Sequence, residues 1–110
     1  LGGVRPALAV ADTYGLPCVV SSALDTSVGL AAGLALAGSL PELPFACGLG
    51  SGQLLTTDVA ADRLLPVDGA LRVRSVAPTP DALDAVAMNP AGLAHWRRRL
   101  RQALDALSAH

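Results

Sequence analysis

The stretch Gly15-Leu16-Pro17-Cys18-Val19-Val20-Ser21-Ser22-Ala23-Leu24-Asp25-Thr26-Ser27 says most about the fold of this chain. Its opening glycine is typical of a residue that ends a helix. Residues 18–21 are a short apolar run with β-branched valines, which predicts a strand. The run does not alternate apolar and polar residues, as is typical of a parallel strand covered on both faces. Residues 25–27 can each cap a following helix.

Further elements are predicted on both sides of this stretch. Apolar residues recur with helical spacing over residues 3–14, an almost wholly apolar helix is predicted over 28–39, and a second short strand is predicted over 45–48. The order helix, strand, helix, strand is typical of a parallel α/β fold. Gly29 and Gly33 would let the second helix lie close to the sheet. Because an apolar helix needs cover on most sides, the pattern calls for more strands than the chain contains.

The second half of the chain has a different character. Residues 54–61 are compatible with a short helix or an irregular segment, and residues 62–76 with a hairpin or extended arm that turns at Asp68-Gly69. The prolines at 78 and 80 predict a linker, and residues 90–109 an amphipathic helix whose polar face carries arginines. We therefore divide the chain into an α/β part, residues 1–61, and a C-terminal extension, residues 62–110.

Composition excludes several classes of function. The chain has 110 residues, is 52% hydrophobic and carries a net charge of -1, and all its basic residues are arginines. Without lysine it cannot perform lysine chemistry, and its near-neutral charge argues against a nucleic-acid binder. The stretch without charges, Thr26–Pro41, is too short to cross a membrane. Cys18 and Cys47 are expected to be buried free thiols in a reduced, cytoplasmic setting. The start at Leu1 suggests a processed chain or a piece of a longer one.

The loops that follow the two predicted strands are the candidate binding site. Ligands of α/β proteins bind at the carboxyl ends of parallel strands. Ser21 and Ser22 offer hydroxyl groups there, and residues 48–52 form a glycine-rich loop whose backbone N–H groups can approach a ligand. Together with the start of the following helix they form a corner suited to a small carboxylate. Plain capping and turn formation explain the same residues equally well.

Other chemistry finds little support in the sequence. The glycine-rich loop is not a dinucleotide fingerprint, because Gln53 stands where the third glycine would be. His95 and His110 are too isolated to form a metal site. No histidine is placed to activate a serine nucleophile. We therefore expect no catalytic residue and no metal ligand in this chain.

Three stretches of the chain resemble the C-terminal part of the o-succinylbenzoate synthase family, namely residues 1–4, 15–30 and 40–50. The runs V-V-S-S-A-L-D-T-S-V-G-L and A-C-G-L-G are the most specific of them. The resemblance extends over residues 1–71, whereas the tail is similar only in kind, through its final arginine-rich helix. The family consists of dehydratases of the enolase superfamily that act in menaquinone biosynthesis.

The resemblance implies a fold, a reaction and a set of partners. The chain would be the C-terminal part of a (β/α)8 barrel: its last two βα units, with strands seven and eight, plus the C-terminal extension. The complete enzyme would convert 2-succinyl-6-hydroxy-2,4-cyclohexadiene-1-carboxylate to 2-succinylbenzoate with Mg²⁺ and two lysines. The metal ligands and both lysines would lie before Leu1. This fragment would be inactive alone and would need the remaining barrel and the capping domain. Neither nucleic acid nor membrane is expected as a partner.

The same resemblance assigns substrate-binding residues to the ends of strands seven and eight. They surround the succinyl carboxylate of the substrate in the family, and the matching positions here are Ser21, Ser22, Gly48, Leu49 and Gly50. Two other functions stay open. One is a non-catalytic α/β module for carboxylate binding or assembly, and the other is an N-acylamino acid racemase or dipeptide epimerase of the same superfamily. The coding sequence upstream of Leu1 would distinguish the non-catalytic module from the enzyme. Substrate profiling of the full-length protein would distinguish the racemase or epimerase from the dehydratase.

Overall fold

The computed structural model describes residues 3–108, so Leu1, Gly2, Ala109 and His110 lie outside the described part of the chain. Four α-helices and one 3-10 helix are formed there. They are α1 (Val4–Thr13), α2 (Ser27–Ser39), the 3-10 helix (Ser51–Leu54), α3 (Pro80–Ala85) and α4 (Pro90–Ser108). The helices predicted over 3–14, 28–39 and 90–109 are thereby confirmed, with ends that differ by one residue where they are described.

Gly15 ends α1 as the sequence predicts. Its φ of 62° is in the left-handed region, which glycine enters without steric cost. In this conformation the chain folds back, and Leu16 N donates a 2.8 Å hydrogen bond to Ala11 O while Gly15 N donates to Asp12 O. These bonds satisfy carbonyl groups that the last helical turn would otherwise leave without partners.

The two predicted strands are not formed as strands within residues 3–108, and this part of the prediction was wrong. Residues 18–21 and 45–48 do run parallel to each other, but they pair at a single bridge between Ser21 and Gly48. Ser22 N donates to Gly48 O and Gly48 N donates to Val20 O, each at 2.9 Å. The direction of the pairing is parallel, and its length is one bridge.

Two physical reasons account for the short pairing. Pro17 and Pro44 stand just before the paired segments and have no backbone N–H to donate, so the ladder cannot extend far in that direction. A parallel strand is also normally covered on both faces. Here the side chains of Val19 and Phe45 are exposed, so little burial stabilises a longer ladder.

The core lies between α2 and the segments on one side of it. Its buried members are Leu30, Leu34, Ala37, Leu49 and Leu64. A methyl group on Gly33 would lie only 3.1 Å from Leu49 Cδ2, so this glycine lets α2 approach the paired segments closely. The opposite face of α2, with Ala32 and Ala35, is exposed. The apolar helix is therefore covered on one side only, whereas the sequence predicts cover on most sides.

The second half contributes an arm and two helices. At the predicted turn, Asp68 and Gly69 have φ values of 50° and 75°, and the backbones of Val67 and Ala70 exchange two 2.9 Å hydrogen bonds. The linker predicted around the prolines at 78 and 80 was partly wrong, because Pro80 begins α3. Proline suits the first helical position, where its missing N–H would have no intrahelical partner.

The described residues form a flat body with much apolar surface. Its extents are 47 × 43 × 20 Å, and its radius of gyration is 17.2 Å, against roughly 13 Å for a compact domain of this length. The predicted apolar stripe of α4 is exposed along Trp96, Leu100, Leu104 and Leu107. None of the helices within residues 3–108 combines the length and apolar character that a membrane crossing requires.

Candidate functional site

The two loops predicted to bind a ligand lie side by side. We call residues 21–26 the serine loop and residues 48–52 the glycine loop. Ser22 Oγ donates a 3.0 Å hydrogen bond to Gly48 O, and it lies 2.7 Å from Ser51 Oγ. Because the loops follow the carboxyl ends of two parallel segments, this is the position at which α/β proteins bind ligands.

Gly48 O accepts more hydrogen bonds than it can hold well. Ser22 N reaches it at 2.9 Å, Ser22 Oγ at 3.0 Å and Ser21 Oγ at 3.4 Å. A carbonyl oxygen has two lone pairs, so the longest of these three contacts is the weakest. Ser21 is exposed, and its hydroxyl can turn toward a ligand with little loss of bonding.

Glycine is the residue that fits at position 48, opposite Ser21. A Cβ atom built on Gly48 would lie 2.6 Å from Ser21 Oγ and 3.3 Å from Ser21 Cβ. Contacts shorter than about 3.5 Å between such atoms are repulsive. The absence of a side chain at Gly48 therefore sets where the Ser21 hydroxyl can lie.

The next two residues of the glycine loop contribute their backbone. The side chain of Leu49 is buried in the core, so only its peptide group faces the loop, and Gly50 is exposed. Neither backbone N–H donates a hydrogen bond to any of residues 3–108, but Leu49 N–H lies opposite Gly48 O across a trans peptide bond and so points away from Ser22. The free N–H of Gly50 is the one suited to a negatively charged oxygen of a ligand.

Ser51 was missed by the sequence analysis. It begins the 3-10 helix, is half-buried, and meets Ser22 across the two loops. Either hydroxyl can be the donor in this contact: Ser51 donates to Ser22 while Ser22 donates to Gly48 O, or Ser22 donates to Ser51, which leaves the Ser51 proton free for a ligand. The run G-L-G-S-G does contain this serine, but no local pattern shows that it lies opposite Ser22.

The start of α2 is occupied by a carboxylate of the chain itself. Asp58 Oδ1 and Oδ2 accept hydrogen bonds of 3.1 and 3.0 Å from Ser27 N, and Oδ2 accepts one of 2.6 Å from Ser27 Oγ. No side chain of the serine loop caps α2, so the predicted local cap was wrong. The helix start favours an anion, as the sequence predicts. Asp58 is that anion, so the start of α2 already has an anionic partner within the chain.

Asp58 is held in its ionised form by these bonds. Its side chain is 2% exposed. Burial raises the pKa of Asp58, but hydrogen bonds from Ser27 and Val59 together lower it more, so this pKa lies below its ordinary value of 3.8. Val59 N donates to Oδ1 at 2.7 Å. A buried carboxylate with several donors is the arrangement in which hydrogen bonding outweighs desolvation.

Arg63 completes the cluster around Asp58. Its Nη2 donates to Gly52 O at 2.8 Å and to Leu55 O at 2.9 Å, and its Nε lies 3.6 Å from Asp58 Oδ2. That Nε is buried and makes no hydrogen bond. Leu64 N donates to Ser27 Oγ at 2.8 Å, which ties the arm to the start of α2. Nothing in the sequence pattern pointed to this cluster.

The remaining reactive side chains do not gather into a site. Within residues 3–108 no three of the His, Cys, Asp and Glu side chains lie close enough to share a metal ion. His95 packs edge-on against Trp96 on α4, with 5.6 Å between ring centroids. Cys18 and Cys47 are free and half-buried.

Comparison with known proteins identifies one group of relatives. The chain is 56% identical over 106 residues to the o-succinylbenzoate synthase of Thermobifida fusca, covering 96% of this chain and 32% of that protein. It is 48% identical over 107 residues to the one of Mycobacterium leprae, covering 97% of this chain and 32% of the relative. With the protein of Mycobacterium ulcerans it shares 48% over 101 residues. No family model matches the chain.

These relatives are biosynthetic enzymes of one kind. The chain is homologous to the o-succinylbenzoate synthases along almost all of its length, which confirms the resemblance identified in the sequence. The chain spans about a third of the length of the relatives it matches, consistent with the C-terminal part that the sequence predicts.

Proposed function

We propose that this chain supplies the substrate-carboxylate site of a dehydratase that converts 2-succinyl-6-hydroxy-2,4-cyclohexadiene-1-carboxylate to 2-succinylbenzoate in menaquinone biosynthesis. The observation that carries the proposal is the joined pair of loops. Three hydroxyl groups, those of Ser21, Ser22 and Ser51, lie together where the loops join, next to Gly50, whose backbone N–H has no hydrogen-bond partner within residues 3–108. Such donors suit a carboxylate, and the relatives' name specifies a succinyl-bearing aromatic product.

The proposed fold is the last two βα units of a (β/α)8 barrel, in residues 1–61, followed by the extension in residues 62–110. The parallel direction of the Ser21–Gly48 pairing supports this proposal. So do the flat shape and the exposed apolar residues of α1 and α4, which suit surfaces that the remaining barrel and the capping domain would cover. A complete barrel of this type takes ~250 residues. We also propose that the enzyme works in the cytoplasm.

The chemical step is assigned to other parts of the enzyme. Family resemblance assigns Mg²⁺ and two lysines to the reaction. The described residues of this chain do not fit a divalent metal, since no three candidate ligands lie together, and the chain has no lysine. Its own residues bind and orient the substrate: Ser21 and Ser22 hold one end of the succinyl group while the acid–base groups act elsewhere. Fixing that end places the reacting carbon correctly.

A chimeric enzyme tests this proposal. In the Thermobifida fusca relative, the third of the chain that matches is replaced by this sequence, to which it is 56% identical. We expect the chimeric enzyme to form 2-succinylbenzoate in the presence of Mg²⁺. Racemisation of N-acylated amino acids without dehydration would contradict the proposal, and so would a folded chimera without any activity.

The Ser21→Ala variant of the chimeric enzyme tests the assigned site. Losing one hydrogen bond to a charged carboxylate weakens binding by about 1.5–3 kcal/mol, so KM is expected to rise by roughly 10- to 150-fold. The exposed Ser75 provides a matched control, because Ser75→Ala removes a hydroxyl far along the chain from both loops. If KM of Ser21→Ala equals that of the control, Ser21 is not part of the site.

A further inference from the structure

We propose that Asp58 is a positioning residue of the carboxylate site: through Ser27 and Arg63 it fixes the serine loop and the glycine loop relative to each other. This inference rests on the proposed function, because the loops matter only as a binding site. Asp58 itself is buried and points at the start of α2 rather than into the site.

The first connection runs from Asp58 to the end of the serine loop. Ser27 follows that loop directly and is itself buried. Both its N–H and its hydroxyl donate to Asp58, at 3.0 and 2.6 Å from Oδ2. Hydrogen bonds to an ionised carboxylate are the stronger kind, so this end of the loop is fixed to Asp58.

The second connection runs from Asp58 to the end of the glycine loop. Arg63 donates from Nη2 to Gly52 O and Leu55 O, at 2.8 and 2.9 Å. Its Nε is buried without a hydrogen-bond partner, and the nearest anion is Asp58 Oδ2 at 3.6 Å. The charge of Asp58 therefore offsets the cost of burying the Arg63 Nε.

The two loops are thus fixed at both ends. At one end Ser22 meets Gly48 and Ser51, and at the other Asp58 and Arg63 join Ser27 to Gly52. The backbone at Gly52 packs tightly against α2, since a Cβ atom there would lie 2.8 Å from Leu30 Cδ1. Without the Asp58 charge, the Ser27 donors would lose their ionised acceptor and the buried Arg63 Nε would lose its nearest anion, so the two loops would be held less firmly against each other.

Two variants and one control test the inference in the chimeric enzyme. Asp58→Asn removes the charge while keeping the shape of the side chain. Arg63→Gln removes the second connection and keeps the inference testable if Asp58→Asn does not fold. Asp62→Asn is the control, because Asp62 is an exposed aspartate in the same segment that pairs with Arg74 at the surface. Hydrogen exchange is followed in peptides covering residues 21–27 and 48–55, and KM and kcat are measured with the dehydration substrate.

We expect Asp58→Asn and Arg63→Gln to accelerate exchange in both peptides and to raise KM about tenfold, while kcat changes much less. Asp62→Asn should leave the exchange rates, KM and kcat unchanged. The inference would be overturned if Asp58→Asn and Arg63→Gln exchanged as slowly as the control, or if they exchanged faster while KM stayed unchanged. If the chimeric enzyme does not catalyse dehydration, the proposed function fails separately. Succinate is then the probe, and its dissociation constant, measured by ligand-observed NMR, replaces KM with the same expected change.

Discussion

The hydroxyl oxygens of Ser22 and Ser51 lie 2.7 Å apart although 29 positions separate them in the sequence. Either hydroxyl can donate to the other, since Ser22 can give its proton to Gly48 O at 3.0 Å or to Ser51. This short chain of hydrogen bonds crosses from the serine loop to the glycine loop. It brings the two hydroxyl groups together at one point, which neither loop could do alone.

Ser22→Ala is expected to weaken both the fold and substrate binding. It removes the bonds to Gly48 O and to Ser51, worth about 0.5–1.5 kcal/mol each to the free energy of unfolding. Urea denaturation of the chimeric enzyme measures this loss, and steady-state kinetics should show a higher KM. Ser75→Ala serves as the control, because that serine is exposed and its side chain makes no hydrogen bond within residues 3–108. Equal stability of the two variants would show that the Ser22 contacts contribute nothing.

Gly48→Ala is expected to destabilise the fold through its contact with Ser21. The added methyl group would lie 2.6 Å from Ser21 Oγ and 3.3 Å from Ser21 Cβ, and because the exposed hydroxyl can turn aside, the cost is expected at about 1 kcal/mol, the lower end for overpacking. Adding Ser21→Ala removes that oxygen and leaves a 3.3 Å contact with Cβ, so the double variant should be more stable than Gly48→Ala alone. A double-mutant cycle by urea denaturation measures this coupling. Additive effects of the two substitutions would contradict the proposed clash.

Asp58 is expected to make stability depend on pH in the acid range. Its pKa is lowered in the folded chain, so the unfolded chain takes up the proton first as the pH falls. The stabilisation is complete above the ordinary value of 3.8 and is lost as the pH falls from there through the lower folded pKa. Urea denaturation of the chimeric enzyme across this range should show a smaller acid-dependent loss in Asp58→Asn. The exposed Asp62→Asn should retain the full loss, and identical curves for the two variants would contradict this role of Asp58.

The isolated chain is expected to be inactive toward the dehydration substrate with Mg²⁺ and to self-associate. Trp96, Leu100, Leu104 and Leu107 are exposed on α4, and such continuous apolar surface favours association. Purification followed by light scattering and an activity assay tests both expectations. Measurable turnover by the chain alone would refute the assignment of the chemical step to the rest of the enzyme.

Helices were predicted well because their signals are local. The period of apolar residues in α1 and α4 and the glycine at 15 act within a few residues of where they stand. Strands were predicted less well, because a strand exists only where a neighbour pairs with it. Residues 18–21 and 45–48 have the apolar character of strands, yet they form one bridge here.

By itself, the sequence determined where α1, α2 and α4 lie, which family the chain resembles, and that the two loops meet at one edge. Local hydrogen bonds, glycine conformations and recognisable runs of residues are sufficient for these conclusions. Only the tertiary structure decided that Asp58 occupies the start of α2 and that Ser51 meets Ser22. Both contacts join residues about thirty positions apart, and their donors and acceptors pair only after the core around Leu30 and Leu64 brings the segments together.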